Sequence, residues 1–179
     1  MNLANGVTII ACTDSTAKLI NCTITGNRAG SNSTMLTFTN SPGAKMLNSI
    51  VWGNSGSVLA GTDPLPSITF SDMEGGLTGP GILDADPFFV DPGHWDDQGT
   101  PAVFNDDLWI LGDYHLRSTQ GRLDLKTGTW LLDDVDSPCI DAGDPDLSSG
   151  DETFPNGNRI NIGVFGGTHQ ASKSIPNSY

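Results

Sequence analysis

Apolar and polar positions alternate in short runs along the first half of the chain. Val, Ile and Thr alternate over a few residues and then meet Asn or Gly, as in "NCTITGN" (21–27) and "NSIVWGN" (48–54). A period of two over so few residues predicts short strands joined by tight bends, with no helical stripe between them. Laying "AKLINCTITGN" (17–27) over "AKMLNSIVWGN" (44–54) matches Ala, Lys, Asn, Gly and Asn at a constant offset of 27. "FSDMEGG" (70–76) continues the frame another 22 residues on, with Gly75 over Gly53 and Gly26. Repeats of this length mark a solenoid, in which each unit buries its apolar face only against its neighbours.

The frame assigns side chains to rungs. Cys22, Ser49 and Ser71 share one inward rung, and Ile24, Val51 and Met73 share the next. Asn21 and Asn48 stand just before the rung, where Asn tolerates the left-handed conformation and its amide bonds along a stack. Asn21 also opens an N-x-T sequon, as does Asn32; the bend role is the reading preferred for Asn21. Lys18 and Lys45 fall on one outward position. Trp52 shares another outward position with Thr25 and Glu74, beside a rung of Thr23, Ile50 and Asp72. An aromatic ring there is a sugar-stacking platform, a protein contact, or a residue over which an insertion folds.

Beyond residue 76 the frame loosens. Residues 86–90, 108–111, 114–116, 129–132 and 160–165 read as further strands. Two polar insertions, 91–107 and 117–128, and an Asp-rich stretch, 133–152, separate them, and insertions of this kind commonly carry binding. Trp95, Trp109 and Trp130 lie in or next to these insertions, so several aromatics would line one groove. The division is residues 1–90 as coils and 91–179 as final strands, acidic insertions and a C-terminal cap, in one continuous domain.

Together, "SIVWGN", "ITFSDMEGG", "DADPFFVDP", "GDYHL", "SPCIDAGDP" and "NRINIGVFGG" resemble the C-terminal part of right-handed parallel β-helix proteins of environmental bacteria, often called pectate-lyase-like by fold. The resemblance runs from about residue 17 over most of the chain. It implies right-handed coiling and export, and it carries no catalytic residue over to this chain.

Charge narrows the partners. Eight basic against 21 acidic residues give a net charge of −13, which argues against nucleic acid and anionic lipid. No run of 18 apolar residues is present, so no membrane span is expected, and the start lacks the features of a signal peptide. A targeting segment for export is expected outside this chain. Cys12, Cys22 and Cys139 read as small buried hydrophobes, with a Cys12–Cys22 disulfide as the alternative.

Candidate chemistry rests mainly on carboxylates. Asp72 and Glu74, two apart on one strand, would hold their side chains roughly 7 Å apart on one face, a separation that a glycosidase pair can use. Asp144, Asp146 and Asp151 would form an irregular calcium loop, although the stretch fails the EF-hand pattern; otherwise these Asp residues serve Asx turns beside Pro and Gly. His94, His115 and His169 are scattered, and His115 alternates with core positions. No cofactor is required, and calcium is the cation the Asp clusters suit.

The sequence thus predicts an all-β fold: a right-handed parallel β-helix (β-solenoid) with loop insertions and an irregular C-terminal closing region. Its expected role is a secreted or cell-surface non-catalytic module. It would be structural or adhesive, binding polysaccharide through Trp52, Glu74, Trp95, Trp109 and Trp130, or joining copies of itself end to end. The alternative is a polysaccharide lyase or glycoside hydrolase, with Asp72 and Glu74 as its candidate catalytic residues.

Overall fold

The computed structural model describes residues 8–28, 33–61, 65–104 and 106–175. Those residues are all-β, without helices. The chain makes three successive passes, each laying one strand in each of three parallel sheets. The first pass supplies β1 (Thr8–Thr13), β2 (Lys18–Ile20) and β3 (Thr23–Thr25). The second supplies β4 (Thr34–Thr39), β5 (Lys45–Leu47) and β6 (Ile50–Trp52), and the third β7 (Ser57–Gly61), β8 (Ser67–Thr69) and β9 (Asp72–Met73). The sheet orders are β1-β4-β7, β2-β5-β8 and β3-β6-β9, so a first-pass strand lies at one edge of each.

The sequence offsets reappear as strand register. Ile24 pairs with Val51 and Val51 with Met73; Lys18 pairs with Lys45. At the corner between the second and third sheets, Asn21 and Asn48 both have φ of 49° and Phe70 has 47°. Asn accepts that region at little cost, whereas Phe70 adopts it because its neighbours fix it there. Immediately beyond, the Ser49 hydroxyl accepts the Cys22 N–H at 3.1 Å and the Ser71 hydroxyl accepts the Ser49 N–H at 3.2 Å. A short polar residue after the bend therefore satisfies a backbone donor that the turned chain would strand. The Asn21 amide donates to Gly166 O at 2.8 Å, so this sequon residue serves as a bend. Asn32 lies outside the described residues.

Inside the three sheets, Ile24, Met35, Leu36, Phe38, Met46, Val51 and Met73 form the first core. Leu77 and Ile82 pack against it from the segment that follows the third pass. That segment also completes hydrogen bonds of the last pass: Phe70 N–H donates to Pro80 O, Met73 N–H to Leu83 O, and Leu83 N–H to Ser71 O.

The remaining strands pair antiparallel. β10 (Phe89–Asp91) pairs with β13 (Asp113–Leu116), β11 (His94–Asp96) with β12 (Leu108–Ile110), and β14 (Arg122–Asp124) with β15 (Thr129–Leu131). β11 and β14 fall inside the stretches read as polar insertions, where His, Arg and Asp obscured the alternation. The predicted strand 160–165 is not one. Residues there form turns, with Gly163 at φ 102° donating its N–H to Asn48 O at 2.8 Å and Val164 N–H reaching Thr23 Oγ1 at 3.1 Å. The β-branched run yields to docking along the flank of the first two passes.

This docking builds a second core of Ile50, Phe89, Leu116, Cys139 and Ile162, with Trp52, Leu83 and Tyr114 packed around it. The β3-β6-β9 sheet is therefore covered on both faces, and its outward rung is interior at Ile50 and Asp72. All three cysteines are free; Cys139 is buried and Cys12 and Cys22 are half-buried. His115 is buried, bonded through Nδ1 to Asp113 and stacked on Phe165 at 3.8 Å.

Candidate functional site

Trp52 ends β6 on the outer face of its sheet, in register with Thr25. Next to it stands the β11–β12 hairpin. Asp91 Oδ1 accepts the Gly93 N–H at 2.9 Å, turning the chain into β11. Trp95 and Trp109 then face each other across the two strands, edge-on with ring centroids 5.4 Å apart. That geometry suits aromatic quadrupoles.

The hairpin is fastened to the bend after β3. Trp95 Nε1–H donates to Gly26 O at 2.9 Å. The Trp109 ring lies against Gly26, which has φ of 69° and no room for a Cβ: an added carbon would overlap the ring. Arg28 lies 5.6 Å from the Trp95 ring centroid and 5.0 Å from that of Phe104, and it pairs with Asp107. The Asp107 side chain is 3 % exposed and that of Arg28 36 %, so the carboxylate is out of water while its cationic partner still meets solvent.

Between β6 and the hairpin opens a cleft of about 360 Å³. Trp52, Trp95, Trp109, Phe89 and Pro92 form its apolar walls. Thr25, Asn27, Ser55, Arg28 and His94 supply polar groups. The volume and the mix of aromatic wall with a few polar groups suit a small ligand or one residue of a longer chain. Despite the net charge of −13, the ionisable side chains that line it among the described residues are Arg28 and His94, with no carboxylate.

Three of the five expected ligand-binding residues thus meet in one place. Trp130, on β15, lies elsewhere, its ring 4.0 Å from Lys173 Nζ. Glu74 accepts the Gly53 N–H at 2.8 Å and borders a separate depression with Asn54, Ser57 and Leu59. The sequence reading missed Phe89, Arg28 and His94 as partners of the tryptophans, because they come from separate segments that only docking brings together.

The Asp72–Glu74 pair does not form an open site. Asp72 is wholly buried, with Oδ1 accepting the Ala85 N–H at 3.2 Å and Oδ2 accepting the Cys139 thiol at 3.3 Å. Burial pushes its carboxyl up to about 6, partly offset by those two hydrogen bonds and reinforced by Asp84 and Asp86. Burial likewise pushes the Cys139 thiol up, and the Asp72 charge beside it adds to this. Without solvent access Asp72 cannot flank a sugar bond.

In the Asp144–Asp151 stretch the Asp144 carboxylate serves a turn: its Oδ1 accepts the Asp146 N–H at 3.0 Å. Asp86, Asp91, Asp96 and Asp97 cap N–H groups two residues on in the same way. Among the described residues, no three His, Cys, Asp or Glu side chains gather as a metal cluster. No helix among them is long and apolar enough to cross a membrane. No protein-family model, curated protein or solved structure matches the chain.

Proposed function

We propose that the three passes are turns of a right-handed parallel β-helix, and that the chain is a non-catalytic extracellular module binding polysaccharide in the Trp52–Trp95–Trp109 cleft. The observation that carries this reading is the convergence of three tryptophans from separate strands beside a few neutral polar groups. Indole rings offer broad apolar faces to sugar C–H groups, while Thr25, Asn27 and Ser55 offer hydrogen-bond partners to hydroxyls. Trp95 is 37 % exposed, so a ligand can reach the cleft. The resemblance to exported β-helix proteins supports placement outside the cell or at its surface.

The burial of Asp72 weighs against the enzymatic reading built on that carboxylate. A second non-catalytic role, end-to-end assembly, draws on the edge position of β1, β2 and β3, whose outer backbone groups can pair with another copy.

Titration of a polysaccharide panel, read by tryptophan emission and calorimetry, tests the binding role. At least one glycan should shift the emission, and Trp52→Ala should weaken it tenfold or more, about 1.4 kcal/mol. A panel without any response, or a Trp52→Ala protein that binds like the parent, refutes it. Release of reducing or unsaturated ends from the same panel, with and without calcium, would overturn the non-catalytic assignment.

A further inference from the structure

A second cavity, of about 300 Å³, opens where the β14–β15 turn meets the chain between β12 and β13. It shares no lining residue with the aromatic cleft. Leu111, Tyr114, Leu125 and Phe165 form its apolar walls, and Asp113, Asp124 and Lys126 bring charge to it. Leu111 is 73 % exposed and Leu125 58 %, so two leucines of one hollow stand largely in water.

The walls are held from behind. Phe165 stacks on the buried His115 ring at 3.8 Å, and Tyr114 meets Phe89 edge-on at 5.5 Å. The Gly128 N–H donates to Asp124 O at 2.7 Å and closes the turn that presents Leu125. The carboxylates are fixed as well. Asp124 Oδ1 accepts the Lys126 N–H at 3.2 Å, and Oδ2 accepts the Thr127 hydroxyl at 2.6 Å. The Thr127 and Lys126 bonds hold the Asp124 carboxyl below its usual range, so it stays ionised. Asp113 Oδ1 meets both the His115 N–H at 3.1 Å and His115 Nδ1 at 2.5 Å. Its Oδ2 makes no hydrogen bond among the described residues. Two carboxylates against one ammonium leave the cavity net negative, in a chain of charge −13.

Apolar walls favour an apolar body, the carboxylates select a cation over an anion, and aromatic faces attract cations too. We propose that this cavity binds a small organic cation, an ammonium group carried on an aromatic or branched apolar body. Leu111, Leu125, Tyr114 and Phe165 enclose the body, and Asp113 and Asp124 face the ammonium. Lys126, exposed on a flexible stem, turns to water as the ligand's own ammonium enters. The inference does not depend on the polysaccharide reading, since the two sites have separate walls.

The test titrates phenethylamine into the whole chain in phosphate buffer at neutral pH, read by saturation-transfer NMR and calorimetry. The amine should bind saturably with Kd on the order of 1 mM. Phenethyl alcohol, its neutral counterpart, should bind about tenfold more weakly, and phenylacetate should not bind. Asp124→Asn keeps an acceptor for the turn and should weaken the amine about tenfold. Leu125→Ser, at an exposed position that spares the fold, should weaken it severalfold. Asp146→Asn removes the same unit of charge outside the cavity and should leave the affinity unchanged. The proposal is overturned by a parent without saturable binding, or by an alcohol that binds as tightly as the amine. Unchanged affinity in both cavity variants overturns it too, as does an Asp146→Asn loss equal to that of Asp124→Asn.

Discussion

The substitution Asp72→Asn separates the cost of a buried carboxylate from the shape of its site. The introduced amide can keep the hydrogen bond from the Ala85 N–H, and it removes the charge together with the acceptor that Oδ2 offers the Cys139 thiol. In the folded chain the Asp72 carboxyl is raised from 3.8 to about 6. The folded state therefore holds this proton more tightly than the unfolded one. The resulting stability is fully present below about pH 4 and is lost as the pH rises through 6. Roughly two pKa units at 1.36 kcal/mol each give about 3 kcal/mol in all. About 1.4 kcal/mol of this falls between pH 5 and pH 8, a range safely above the sequence pI of 4.1. Urea unfolding of both proteins across that range is the assay. The stability of Asp72→Asn relative to the parent should climb by that amount from pH 5 to pH 8, whatever fixed cost the amide brings. Parallel stability curves would mean that Asp72 titrates normally, and the buried-carboxyl argument would fail.

Two further substitutions probe the packing. Val51→Asp puts an unpaired charge into the first core, where Val51 is wholly buried, and should cost several kcal/mol; an unchanged Tm would refute the register. Gly26→Ala drives a methyl group into the Trp109 ring and strains the left-handed bend. It should loosen the β11–β12 hairpin, alter tryptophan emission and weaken glycan binding while the three parallel sheets persist. Retention of the parent's emission and affinity would show that the hairpin is not seated there.

The repeat offsets of 27 and 22 residues became strand register because parallel stacking of like units is a local rule. Each residue pairs with its counterpart one pass away, and a slip would turn Ile24, Val51 and Met73 out of the core. The Asn bends, the serine stack and the Asx turns were equally readable, since each depends on backbone preferences within a few residues. Trp52 was legible as an outward aromatic, and its company was not. Residues 92–95 and 109 reach it only when the hairpin docks on the bend at Gly26. Docking of other late segments, through Phe89, Leu116, Cys139 and Ile162, buries Ile50 and Asp72, which alternation alone assigns to the outside, and turns "NIGVF" from an apparent strand into a flank of turns. Alternation specifies which face a side chain takes; whether that face meets water is decided by chain many residues away.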